Sequence, residues 1–407
     1  MTFLEGLAHD ASRDDALVVG VGVKTHQCGH GGETTGRHRH IPVDADAARR
    51  PSAPGNAAVT DGEGHKSVTV GASIFFAVAE RTFEATLPAG AEHGGRMKNR
   101  DGYFPFELEL EPECLGLVRG AASTTFGELH YVRTAEEARS GTQVTLFVHG
   151  VANDWSTWTP LLRQAEKDGV ELGDVILVDL PGFGESENRK SELESGEVGR
   201  VLMELVADCG YHSCRLVGHS MGGFLVLDMA GRGDDRIRSV HLVAGAYFSV
   251  IETVQNPLRS LVLLKKVAIA YWMQSVLAAL GRPGLRMVKV GSAIGLLPLA
   301  LNGFLAHPWG IGKSFRKSLV KGMRPDQFVL AAQNGLDYDP DQHWSEISCP
   351  IHAAFGVEDK LVPPRDMVRL AAICESAKTV LVGDSAHFPH VERPRETLAV
   401  LFGTALS

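Results

Sequence analysis

The chain has 407 residues, 44% of them hydrophobic and 22% charged, which is the composition of a globular protein with a sizeable core and room for two ordinary domains. Collagen-like, fibrous and wholly disordered readings are excluded, and a net charge of −9 argues against a nucleic-acid partner. Six scattered cysteines without a C-x-x-C pair give no disulfide scaffold, and the first thirty residues, with Asp10, Asp14 and Asp15, lack the features of a secretory signal. The expected compartment is the cytoplasm.

Residues 1–103 are rich in loop-formers such as Cys28-Gly-His-Gly-Gly and Arg50-Pro-Ser-Ala-Pro-Gly, and read as an irregular region of unknown role. Short apolar runs within 67–89 fit a strand or a short helix equally. Cys28, His30, His38 and His40 match no closed four-ligand metal pattern, so they read as a histidine-rich loop; no metal or cofactor is called for. From residue 104 short β-prone runs alternate with helix-length segments: Phe104 to Leu110, Leu129 to Val132, Val144 to Val148, Val175 to Val178, Cys214 to Val217, Val240 to Val243, Ile351 to Phe355 and Thr379 to Val382. This alternation predicts an α/β fold with a mostly parallel sheet of about eight strands and helices on both faces, with an antiparallel edge formed by the first runs. About a hundred residues separate the runs ending at Val243 and starting at Ile351, far more than one crossover needs. The expected organisation is therefore a core over 104–248 and 334–407, interrupted by an inserted helical cap over 249–333.

The strongest chemical signal is Gly218-His219-Ser220-Met221-Gly222, entered by a β-type run and left by a helical apolar pattern. This is the G-x-S-x-G nucleophile elbow in its strand-turn-helix setting. Gly218 and Gly222 are needed because a Cβ at either position would collide with the neighbouring strand or helix. A serine hydroxyl needs a base and a group to orient that base. Asp359 stands in the loop after the run ending at Phe355, and His387 in the loop after the last run, where both can converge on one sheet edge. Glu358 and His390 are the nearby rivals, and context favours Asp359 and His387. The run ending in His149-Gly150 places the Val151 N–H beside that of Met221 as an oxyanion pair, with His149 as a structural hydrogen-bonding residue.

Five motifs, His149-Gly150, Asp179-Leu-Pro-Gly-Phe-Gly-Glu-Ser186, Gly218-His-Ser-Met-Gly-Gly223, Gly356-x-x-Asp359-x-x-Val-Pro and His387-Phe-Pro-His-Val-Glu-Arg-Pro394, occur in this order. Through them the chain, from about residue 120 onward, resembles the α/β-hydrolase fold superfamily, in its branch of capped esterases, lipases, thioesterases, epoxide hydrolases and haloperoxidases. The resemblance implies Ser220 as nucleophile, His387 as general base, Asp359 as orienting acid and Val151 and Met221 as oxyanion donors. A serine at the elbow departs from the carboxylate nucleophile of epoxide hydrolases and disfavours that chemistry. The expected activity is hydrolysis of a carboxylic ester with a sizeable apolar group. The alternatives are a thioesterase or acyltransferase acting on a carrier-bound chain, and a non-hydrolytic binding or cyclisation protein.

Residues 249–333 contain eleven Lys or Arg against Glu252 and Asp326, a local charge of +9 that leaves −18 for the rest. The same segment carries the uncharged stretch Val290 to Ala306, which falls at the lower limit for a bilayer span and is interrupted by Pro and Gly, and is expected as a buried or interfacial cap helix. An apolar acyl pocket beneath a cationic rim would suit an anionic lipid surface or an acidic carrier protein; apolar residues packed on the core with a solvated charged face is the plainer expectation.

Overall fold

The computed structural model describes residues 102–245, 248–263 and 265–403; the expectations for residues 67–89 and for the Cys28 to His40 loop lie outside them. Eight strands form one sheet: β1 (Leu117–Thr124), β2 (Gly127–Thr134), β3 (Gln143–Val148), β4 (Asp174–Val178), β5 (Ser213–His219), β6 (Ile237–Val243), β7 (Ile351–Gly356) and β8 (Ala377–Val382). Their order is β1-β2-β4-β3-β5-β6-β7-β8. The β1–β2 and β2–β4 pairs are antiparallel and every other pair is parallel.

The central strands are largely buried and mostly apolar because helices cover both faces. Period-two alternation sends neighbouring residues to opposite layers. Leu146, Leu216 and Leu242 pack under helices Ser195–Asp208 and Met221–Gly231, whereas Phe147, Val217 and Val243 face helices Thr159–Asp168 and Pro394–Phe402.

The chain steps from β3 to β4 on one side and then to β5 on the other, so connections diverge between β3 and β5. At such a switch point the carboxyl ends of the strands open a crevice. The loop after β3 carries His149 and Gly150, and β5 runs directly into Ser220.

One predicted strand is corrected. Phe104 to Leu110 makes no ladder; the Phe104 N–H donates to the Glu392 main-chain carbonyl at 2.9 Å, the Leu108 N–H to Ser314 Oγ at 2.8 Å and the Glu109 N–H to Thr159 Oγ1 at 2.9 Å. The segment is a strap, and its apolar residues Phe104 and Leu108 join Leu305, Ile311, Phe315 and Phe388 in a separate cluster. The antiparallel edge is made instead by β1, whose sequence LVRGAAST buries only Leu117. An edge strand exposed on most of its length carries almost no hydrophobic period, and Gly120 is there because a Cβ would overlap the Tyr131 ring.

Between β6 and β7 the chain forms helices Phe248–Gln255, Pro257–Leu263, Lys265–Leu280, Arg282–Ala293, Leu297–Ala300, Lys313–Gly322, Pro325–Gln333 and Pro340–Trp344. The uncharged Val290 to Ala306 stretch is not one helix: the first part ends at Ala293, Gly295 turns at φ 82°, and Leu297–Ala300 is a separate turn.

Candidate active site

Ser220 sits between β5 and helix Met221–Gly231 at φ 52°, ψ −121°, a left-handed φ that costs a non-glycine residue on the order of 1–3 kcal/mol. The surroundings enforce it. A Cβ on Gly218 would lie 2.5 Å from the Gly222 carbonyl oxygen, and one on Gly222 would overlap the Val148 carbonyl. Gly150 is equally constrained, since its Cβ would lie 2.7 Å from Ser220 Cβ.

The hydroxyl of Ser220 donates to His387 Nε2 at 2.9 Å, and His387 Nδ1–H donates to Asp359 Oδ2 at 2.9 Å. Asp359 is buried, and its other oxygen accepts the N–H groups of Leu361 (2.8 Å) and Val362 (3.1 Å), which fixes the carboxylate plane. Glu358 is exposed. His390 is buried away from the serine, its Nε2 3.2 Å from Thr157 Oγ1, and burial pushes it down to about 3.

Val151 and Met221 line the same cavity as Ser220 and His387. The Met221 N–H stands in the first turn of its helix, where amides lack the i−4 carbonyl partner of the helix interior. His149 is fully buried, donates from Nδ1 to its neighbour's carbonyl on Gly150 (2.7 Å) and accepts the Leu180 N–H at Nε2 (3.0 Å); burial lowers it to about 4, so it is neutral. Asp179 accepts the N–H groups of Trp155 and Glu185, knitting the loops after β3 and β4, while burial raises it to about 7.

Two residues inside the quoted motifs carry contacts that sequence reasoning did not assign. His219 donates from Nε2 to the His387 main-chain carbonyl at 2.8 Å, and burial holds it well below its usual range. Glu392 is wholly buried and accepts four donors: Ala386 and Phe388 N–H on one oxygen, Ala306 N–H and the Tyr103 hydroxyl on the other. It thereby clamps both neighbours of His387. A carboxylate closing the otherwise uncharged Phe388-Pro-His-Val-Glu392 run was the available signal, since buried charges are found with partners.

The cavity above Ser220 measures about 440 Å³, within the range of small-molecule sites. Ser220, His387 and Phe224 line it from the sheet side, and the helices between β6 and β7 contribute Val254, Leu277 and Leu297. Such a chamber can hold an apolar chain against an oriented hydroxyl, imidazole and carboxylate.

Over 285 residues the chain is 25% identical to a 2-hydroxy-6-oxononadienedioate/2-hydroxy-6-oxononatrienedioate hydrolase of Paraburkholderia phymatum, covering 68% of this chain and 91% of that one. It is 27% identical over 141 residues to the dihydrolipoyllysine-residue acetyltransferase component of the acetoin cleaving system of Cupriavidus necator, where the match covers 34% of this chain and spans only 37% of the relative's length. A thermophilic esterase from Thermogutta terrifontis shares the fold at a TM-score of 0.51 and 22% identity, covering 69% of this chain and 95% of that one. Residues 144–394, more than half of the chain, match the model of the alpha/beta hydrolase fold, and the chain belongs to that family.

Proposed function

We propose that the chain is a serine hydrolase that cleaves a carboxylic ester with a sizeable apolar group. The observation that carries this reading is the continuous Ser220–His387–Asp359 hydrogen-bonded line at the floor of an apolar cavity. Ser220 Oγ attacks the ester carbonyl while His387 Nε2 takes its proton, and Asp359 holds the imidazole tautomer and stabilises the imidazolium. The N–H groups of Val151 and Met221 receive the oxyanion. Collapse of the tetrahedral adduct breaks the C–O bond, and His387 returns the proton to the departing alcohol. Water, deprotonated by His387, then attacks the acyl-enzyme and releases the acid and the free serine.

A second reading, thioester hydrolysis or acyl transfer, is favoured by the basic cap and by the likeness to an acetyltransferase component. One experiment separates them. A fluorophosphonate probe is expected to label the protein and not Ser220→Ala, and p-nitrophenyl esters are expected to turn over faster than matched acyl thioesters. Absence of labelling returns the protein to a non-hydrolytic binding role, and a preference for thioesters establishes the second reading.

A further inference from the structure

Eleven of the sixteen exposed large hydrophobic residues among those described lie between Leu258 and Trp309, although this stretch is a small part of the chain. Single exposed apolar residues are ordinary, whereas concentration on one segment marks an interaction surface. The same region has no carboxylate at all between Glu252 and Asp326, and all eleven basic residues of the cap fall in that interval.

Helix Arg282–Ala293 shows how the two features combine. At 3.6 residues per turn, Gly284, Val288, Gly291 and Ser292 share one side, and the last three line the cavity. The opposite side is exposed and divided lengthwise: Arg282, Arg286 and Lys289 form one band, and Met287, Val290 and Ile294 form the other. Beyond it Leu296 and Leu299 are also half exposed. Met287, 63% exposed, and Leu296, 50% exposed, both line the cavity as well. The apolar band therefore adjoins the cavity at Met287, while Val290 and Ile294 stand outside its lining.

We propose that this cap face docks on an anionic phospholipid bilayer and that the ester substrate enters from the membrane. The inference rests on the hydrolase reading for the substrate, but the docking itself does not depend on catalysis. Helices with an apolar band flanked by Lys and Arg lie in the headgroup region, buried by roughly 5–10 Å, and basic side chains are attracted by the negative surface potential. A second copy of this chain is a poor occupant because two such faces repel through their uncompensated positive charge. An acidic carrier protein would satisfy the basic band and leave the apolar band wet. No described helix is long and apolar enough to cross a membrane.

The test is co-sedimentation of the full chain with vesicles of phosphatidylcholine alone and of phosphatidylcholine mixed with phosphatidylglycerol. The protein is expected to pellet with the mixed vesicles at least about tenfold more strongly, and Arg282→Glu/Arg286→Glu/Lys289→Glu and Val290→Glu/Ile294→Glu each to lose that binding by about tenfold or more. Both variants are expected to keep wild-type turnover of a short soluble ester, which separates failed docking from failed hydrolysis. Hydrogen exchange of the wild type supplies a readout that needs no variant: peptides covering residues 282–300 become protected when mixed vesicles are added. Equal binding to both vesicle types, Val290→Glu/Ile294→Glu binding that matches wild type, unprotected 282–300 peptides, or binding to an acidic carrier protein and not to vesicles would each overturn the proposal.

Discussion

The hydroxyl of Tyr103 reaches Glu392 Oε2 at 3.1 Å across 289 positions of sequence, joining the strap before the first strand to the segment that follows His387. Because Glu392 also holds the Ala306, Ala386 and Phe388 amides, one carboxylate couples the strap, the segment between β6 and β7 and the His387 loop.

Burial, opposed by its three amide donors and the Tyr103 hydroxyl, pushes Glu392 up to about 7. The sign is set by linkage: a carboxyl raised above its unfolded value near 4.3 binds more protons in the folded state, so its contribution is fully present below that value and is lost as pH rises through about 7. Glu392→Gln, which turns an amide nitrogen toward backbone donors, is expected to lower the melting temperature, with the gap to wild type widest near pH 5 and narrowing toward pH 8. Thermal melts of both proteins across that range check it; a constant or widening gap refutes the assignment.

Asp359 and Glu358 offer a direct contrast, since the first is buried on His387 and the second faces solvent. Asp359→Asn is expected to lower kcat by at least about a hundredfold, and Ser220→Ala and His387→Ala by about a thousandfold or more, with melting temperatures close to wild type. Glu358→Gln should stay within twofold of wild type. Ester turnover with the four purified variants decides the matter, and a dead Glu358→Gln beside an active Asp359→Asn would reverse the roles.

Gly291 lies on the cavity wall, and a Cβ there meets open space. A larger side chain should be accepted by the fold while shortening the chamber. Gly291→Phe is expected to reduce kcat/KM for octanoyl esters about tenfold or more relative to acetyl esters, since each excluded methylene forfeits about 0.8 kcal/mol of burial. A p-nitrophenyl ester series measures the ratio, and an unchanged chain-length profile would show that the acyl group lies elsewhere.

Seven of the eight strands were readable because they are buried on at least one face and leave a hydrophobic record, as in Val144 to Val148 and Cys214 to Val217. β1 was not, since Val118, Arg119 and Ala121 to Thr124 face water or half-exposed space and carry no period. The reverse error at Phe104 to Leu110 has the same root: alternating apolar residues record burial, and the strap packs Phe104 and Leu108 against Leu305, Ile311 and Phe315 without a sheet. At the site, Ser220, Asp359 and His387 were readable from strand-end position and residue type. His219 and Glu392 were not, because their partners are main-chain atoms, the His387 carbonyl and the Ala386 amide, and backbone groups leave no mark in composition.

The insertion between β6 and β7 meets the core along an uneven seam. Its distal part, helices Lys265–Leu280 and Arg282–Ala293, supplies cavity walls and the exposed basic and apolar bands. Its proximal part is stitched to the His387 loop, with the His387 N–H on the Phe304 carbonyl and the Ala306 N–H on Glu392. The two parts meet at Phe304, which lines the cavity and also accepts the His387 N–H at its carbonyl. A displacement of Phe304 would therefore move the chamber lining and the seat of His387 together.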